Sequence, residues 1–222
     1  MKKRIKLRDR LLPDYTNGEE VMNMVTHIVG GSFGILVLVL CLVRSSIPRC
    51  TVGAAIYGGS MIAIYAMSSI YHGLRPSTGK KVLQILDHCT IYLLIAGSYS
   101  AIALGTLFDH FPMLAIAVLA AQWGLAALAI TLTAIDLEKY NVFSMVCYIG
   151  MGWMALLFVP QLTAALTATG FYWLLAGGIA YTVGAVLYGL GSKKKWLHSV
   201  FHIFVVLGSF LQFIAIYFFA II

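Results

Sequence analysis

The segment "WLHSVFH", Trp196 to His202, sets His198 and His202 four residues apart, so on a helix both imidazoles stack on one face. The same spacing joins Ser68 to His72 in "SSIYH" and Asn23 to His27 in "NMVTH", with Glu20 a turn before. A further acid and imidazole, Asp87 and His88, lie side by side in "LDHCTIYLL". Neutral imidazole is the commonest zinc ligand, and three histidines with one open position is the arrangement of catalytic rather than structural zinc. A carboxylate such as Asp87 can complete that shell, directly or by holding a bound water. Neighbours on a helix diverge by about 100°, so only one of Asp87 and His88 can face a common site. Asp87 is read as facing inward and His88 as lining a neighbouring contact.

The elements that carry these residues are membrane helices. The chain has 222 residues, 61% hydrophobic and 10% charged, with a mean hydropathy of +0.92; an average soluble domain is about 25% charged. A helical span takes about 20 apolar residues, and seven such runs are expected, near 24–43, 51–71, 85–107, 111–132, 142–160, 171–190 and 196–222, none broken internally. The prolines (Pro13, Pro48, Pro76, Pro112, Pro160) fall at run ends or in connections, where a missing N–H is tolerated. This predicts an all-α protein: a basic tail over residues 1–20 and a single seven-helix transmembrane domain over 21–222. The "MKKRIKLRDRLLPDYTNGEE" tail has no signal-peptide pattern, so the first span is expected to direct membrane insertion.

The net charge of +7 sits in short clusters between apolar runs, which argues for topology and against a nucleic-acid partner. With seven spans, Lys2, Lys3, Arg4, Lys6, Arg8, Arg10, Arg75, Lys80, Lys81, Lys139, Lys193, Lys194 and Lys195 share one side, and only Arg44 and Arg49 fall on the other. The positive-inside rule then places the N-terminus inside and the C-terminus outside. Four scattered cysteines (Cys41, Cys50, Cys89, Cys147) form no Cys-x-x-Cys pair and read as small apolar fillers. The glycines in "GGSFG", "YGGS" and "AGGIAYTVGAVLYG" are expected to let helices approach closely.

On this topology Glu20, Asn23, His27, His72, Asp87, His88, His198 and His202 all belong to the inner end of the bundle, whereas Asp109 and His110 fall in an outer connection read as a solvated turn. Ionisable groups in membrane helices are costly and mark functional sites. Four acid or imidazole positions on three helices at one depth are a more specific signal than any one pair.

The motifs "EVMNMVTH", "SSIYH" followed by "LDHCTIYLLIAGSYS", and "HSVFH" carry a resemblance. The sequence resembles the hemolysin III group of bacterial membrane proteins, related to the progestin and adipoQ receptor family that includes the adiponectin receptors. The resemblance covers nearly the whole chain after the basic tail. It implies a seven-helix bundle in the inner membrane with zinc near the cytoplasmic face, held by the counterparts of His72, His198 and His202, with Asp87 holding the metal-bound water. It is similar in this respect to alkaline ceramidases.

The leading expectation is therefore a zinc hydrolase acting on lipid amide or ester bonds from the inner leaflet, with membrane lipids as partners and a lipid as substrate or ligand. Asp87 would orient a water or accept its proton. Ser68 would hydrogen-bond the carbonyl oxygen or a ligand histidine, and Glu20, Asn23 and His27 would form a supporting shell or gate. Two alternatives stand beside it: a pore-forming, hemolytic membrane protein, and a non-enzymatic regulator of membrane lipid state with a structural zinc.

Overall fold

The computed structural model describes residues 7–191 and 194–222, and among these the regular structure is entirely helical. Lys2, Lys3, Arg4, Lys6 and Lys193, with the Arg8 side chain, lie outside the described residues. After a 3-10 turn at Leu7–Asp9 come α1 (Asn17–Arg44), α2 (Pro48–Gly73) and α3 (Thr78–Ile102). Then follow α4 (Pro112–Ile135), α5 (Asn141–Trp153), α6 (Val159–Gly191) and α7 (Leu197–Phe219).

Local chemistry fixes where the helices start. Thr16 caps α1 through a capping box, its hydroxyl accepting from Glu19 N while the Glu19 carboxylate accepts from Thr16 N. α1 therefore begins two turns before the first apolar run, and its polar opening carries Glu20 and Asn23 as ordered helix. Pro48 and Pro112 occupy the first turns of α2 and α4, and the Ser77 side chain caps α3 by accepting from Lys80 N.

Among the described residues, six helical stretches are long and apolar enough to cross a membrane: Asn17–Arg44, Pro48–Gly73, Thr78–His110, Pro112–Ile135, Asn141–Gly191 and Leu197–Phe219. The chain is an all-α membrane protein. Two of the expected apolar runs, 142–160 and 171–190, are joined in the 51-residue stretch Asn141–Gly191. Pro160 does not end a run; it sits in the first turn of α6, where its missing N–H is harmless. The helical backbone instead breaks at Thr167, with φ 62° and ψ 167°, a conformation that a β-branched residue rarely adopts.

The third run is also interrupted. After Ile102 the chain winds as a π-helix over Ala103–Leu107 before a last turn at Phe108–His110. Gly105 departs from helical geometry at φ −86°, ψ −133°, and a side chain there would run into the Ala220 carbonyl. The freed Thr106 N–H donates to that same carbonyl, so the end of α7 satisfies the break. Asp109 is not a free solvated group but pairs with Arg49.

Packing follows the membrane rule. Val43, Met113, Val142 and Leu157 face outward, while Asn23, Gln122, Thr133 and Ser209 are fully buried. Gln122 Nε2 donates to the Met151 carbonyl at 3.0 Å, and Tyr92, Thr133 and Ser144 form a chain of hydroxyls between α3, α4 and α5. The four cysteines are unpaired, three buried and Cys147 partly so. α1 and α2 meet where Gly58 lies so close to Leu38 that a Cβ would sit 2.6 Å from its Cα, a backbone atom that cannot step aside.

Gly58→Val should therefore destabilise the protein by the ~1–3 kcal/mol typical of overpacking, seen as a lower melting temperature in detergent. Gly59→Ala, with nothing within 4 Å of its added methyl, should leave it unchanged.

Candidate metal centre

Four helices meet at the end of the bundle where α1, α3 and α7 begin and α2 ends. His72 lies in the last turn of α2, and His198 and His202 in the first two turns of α7. One ring nitrogen from each lies within 4.8 Å of the others. The rings are 3%, 8% and 1% exposed, so an imidazole there must find a partner or a metal. The Nε2 atoms of His198 and His202 are 3.0 Å apart. Two nitrogens on a tetrahedral zinc, each about 2.0–2.1 Å from the metal, stand about 3.3 Å apart. His72 Nε2 is buried with no hydrogen-bond partner among the described residues. An orphaned imidazole nitrogen beside two converging ones is a donor set that fits a divalent metal.

His72 is aimed by its other nitrogen. Its Nδ1 lies 2.6 Å from Glu20 Oε2 on α1, and Asn23 Nδ2 approaches the same nitrogen at 3.4 Å. With Glu20 as acceptor, Nδ1 carries the proton and Nε2 presents its lone pair to the cluster. The other Glu20 oxygen accepts from Lys80 Nζ at 2.6 Å, and Nζ also donates to the Leu74 carbonyl at 2.8 Å. Lys80 is buried, its ammonium above the Tyr71 ring.

Lys80 belongs to the candidate centre through Glu20, whereas the sequence reading assigned it to the topological charge of a loop. The signal was present: Lys80, Gln84 and Asp87 follow i, i+4, i+7 spacing and so share one face of α3. Tyr15 was missed as well; its ring stacks on His198 with centroids 4.8 Å apart and planes 19° apart.

Asp87 interacts with His72 and Ser68 but does not join the three-histidine group. Ser68 is buried one turn before His72, with its hydroxyl beside the Asp87 carboxylate. Asp87 thus stands one step behind the imidazoles, suited to contact through a water rather than direct ligation. His27 stacks on His202 with centroids 3.9 Å apart, and neither of its ring nitrogens has a hydrogen-bond partner among the described residues. His88 points elsewhere, its Nε2 3.2 Å from the Tyr188 hydroxyl while its carbonyl accepts from Tyr148.

His27, Asp87 and His88 also line the head of a cavity of about 180 Å³. From there it runs between α3, α5, α6 and α7 over an apolar wall that includes Ile95, Leu156 and Phe171.

Residues 15–213 match the family model described as Haemolysin-III related. The chain belongs to that family. The matched range contains every residue of the centre, from Tyr15 to His202. Hemolysin-3 of Bacillus cereus is 34% identical over 204 residues, covering 90% of this chain and 91% of the relative. The Hemolysin-3 homolog of Bacillus subtilis (strain 168) is 32% identical over 210 residues, covering 93% and 97%. More distantly, the ADIPOR-like receptor IZH2 of Saccharomyces cerevisiae is 27% identical over 177 residues, covering 69% of this chain and 54% of that protein.

Removing the partners of a metal-bound imidazole typically costs about 10–100-fold in metal affinity. Glu20→Gln and Lys80→Met should each weaken zinc binding within that range in a competition titration against a chromophoric chelator. His198→Ala and His202→Ala, which remove ligands outright, should weaken it further than either.

Proposed function

We propose that this protein is a zinc-dependent hydrolase of lipid amide or ester bonds, with its metal centre near the inner face of the membrane. The observation that carries the reading is the convergence of three buried imidazoles beside His27 and Asp87, which line an apolar cavity. His72, His198 and His202 would hold the ion, with Glu20 fixing the His72 ring. A zinc ion with an open position lowers the pKa of a water to about 7 and polarises a carbonyl. Asp87 would orient the attacking water and take up its proton, and the Ser68 hydroxyl would donate to the carbonyl oxygen. The apolar cavity would take the acyl chain, which brings the scissile bond to the imidazoles from the lipid side.

The topology belongs to the same proposal. The backbone break at Thr167 divides Asn141–Gly191 into two pieces, each longer than the about 20 residues a crossing needs. Two crossings there give seven in all. Arg75, Lys80, Lys81, Lys139, Lys194 and Lys195 then share the end that carries the metal centre, with Arg44 and Arg49 opposite, so that end is inside, with the N-terminus. The C-terminus is then outside, in the cell membrane.

The name borne by the two Bacillus relatives favours a second reading, a membrane-lytic protein. Dye release from vesicles separates the two. The hydrolase reading expects no leakage above a heat-inactivated control, whereas leakage that persists after chelation supports lysis.

The direct test compares lipids by mass spectrometry in cells carrying wild type, His202→Ala or no protein. Wild type should deplete one class of amide- or ester-linked lipid and release its fatty acid, and His202→Ala should match the empty strain. If no lipid class changes while chelation melts the purified bundle, the metal is structural and the hydrolase reading fails.

A further inference from the structure

The segment that precedes α1 does not leave the bundle. Arg10 is 6% exposed, and its guanidinium donates to Gln84 on α3. Six residues later Thr16 caps α1. Between these anchors the chain crosses the bundle end from α3 to α1, over the last turn of α2 and the first turn of α7. Leu11 is 85% exposed, and Pro13 and Asp14 are exposed as well. Tyr15 turns inward instead, lying flat on His198 and tilted against His72 at 5.8 Å.

The opposite rim is fastened too. Glu19 Oε1 accepts from Trp196 N at 2.7 Å, and the Trp196 ring occupies the space beside Gly18, where a Cβ would meet it at 3.2 Å. The turn leading into α7 is thereby tied to the first turn of α1. The bundle end is closed by two fixed corners and one segment with few buried contacts between its anchors, which is the make-up of a locally opening element.

We propose that residues 10–16 form a lid over the metal centre, hinged at Arg10 and Thr16, with the Tyr15 ring as its plug. The inference rests on the metal-binding reading and adds a division of routes. A hydrated divalent cation crosses an apolar cavity only at a large desolvation cost, so the metal enters and leaves past Tyr15. Lipid ligands approach the centre from the cavity, past His27 and Asp87 that line it, with the lid shut. The lid thus sets how fast metal exchanges and keeps water-soluble carbonyl compounds from the centre.

The test loads purified wild type, Tyr15→Ala and Tyr15→Phe with zinc in nanodiscs and follows zinc release into excess chromophoric chelator. Tyr15→Ala should release zinc about tenfold faster, the factor that one aromatic stacking contact is worth. Tyr15→Phe, which keeps the ring, should release it at the wild-type rate. Equal release from Tyr15→Ala and wild type overturns the lid.

A second measurement uses metal-free protein. Histidine acylation by diethyl pyrocarbonate, mapped by mass spectrometry, should rise severalfold at His198 in Tyr15→Ala and stay low in Tyr15→Phe and wild type. If no variant binds zinc, the metal-binding reading has failed and this readout alone decides the lid; unchanged His198 reactivity in Tyr15→Ala overturns it.

Discussion

One carboxylate, Glu20, holds the candidate centre together. One of its oxygens meets His72 Nδ1 and the other meets Lys80 Nζ, both at 2.6 Å. The contact joins the first turns of α1 and α3 to the last turn of α2, and through the His72 ring it reaches α7. A half-buried carboxylate with one partner would be costly in this environment, and so would a buried ammonium. Shared between an imidazole N–H and a lysine that also donates to the Leu74 carbonyl, Glu20 is satisfied and its geometry is fixed. The His72 ring then has one orientation, with its free nitrogen toward His198 and His202.

The rest of the bundle serves that arrangement under the constraint of the bilayer. Polar side chains that cannot face lipid are turned inward and satisfied against neighbouring helices, as at Gln122 and along Tyr92, Thr133 and Ser144. Deeper than the centre, Tyr65 stands edge-on to His27 and donates to Ser209, which also meets the Tyr181 hydroxyl. α1, α2 and α7 are thus tied below the imidazoles as well as at their level. Gly58, which brings α1 and α2 close, completes the frame that keeps His72 at the depth of His198.

Much of this was legible in the sequence because membrane helices write their burden plainly. Apolar runs gave the helices, and i, i+4 spacing gave the faces on which His198, His202, His72 and Ser68 lie. What was not legible depends on distant partners. The π-helical turn at Ala103–Leu107 exists because the α7 terminus presses the Ala220 carbonyl onto Gly105. The break at Thr167 has no glycine or proline at that position to announce it. α1 starts early because a capping box outweighs the polarity that a hydropathy count penalises. Lys80 turns inward because Glu20 is there to receive it, and Tyr15 is ordered because α3 holds Arg10. In each case a tertiary contact decides, and neither periodicity nor composition encodes it.

The central claim, that His72, His198 and His202 hold zinc with a position left open, is tested most directly by X-ray absorption at the zinc edge on the purified protein. The account predicts one zinc per chain with three nitrogen donors at about 2.0–2.1 Å, a remaining oxygen donor and no sulfur. A sulfur shell, or protein that acquires no zinc when zinc is supplied, would contradict it.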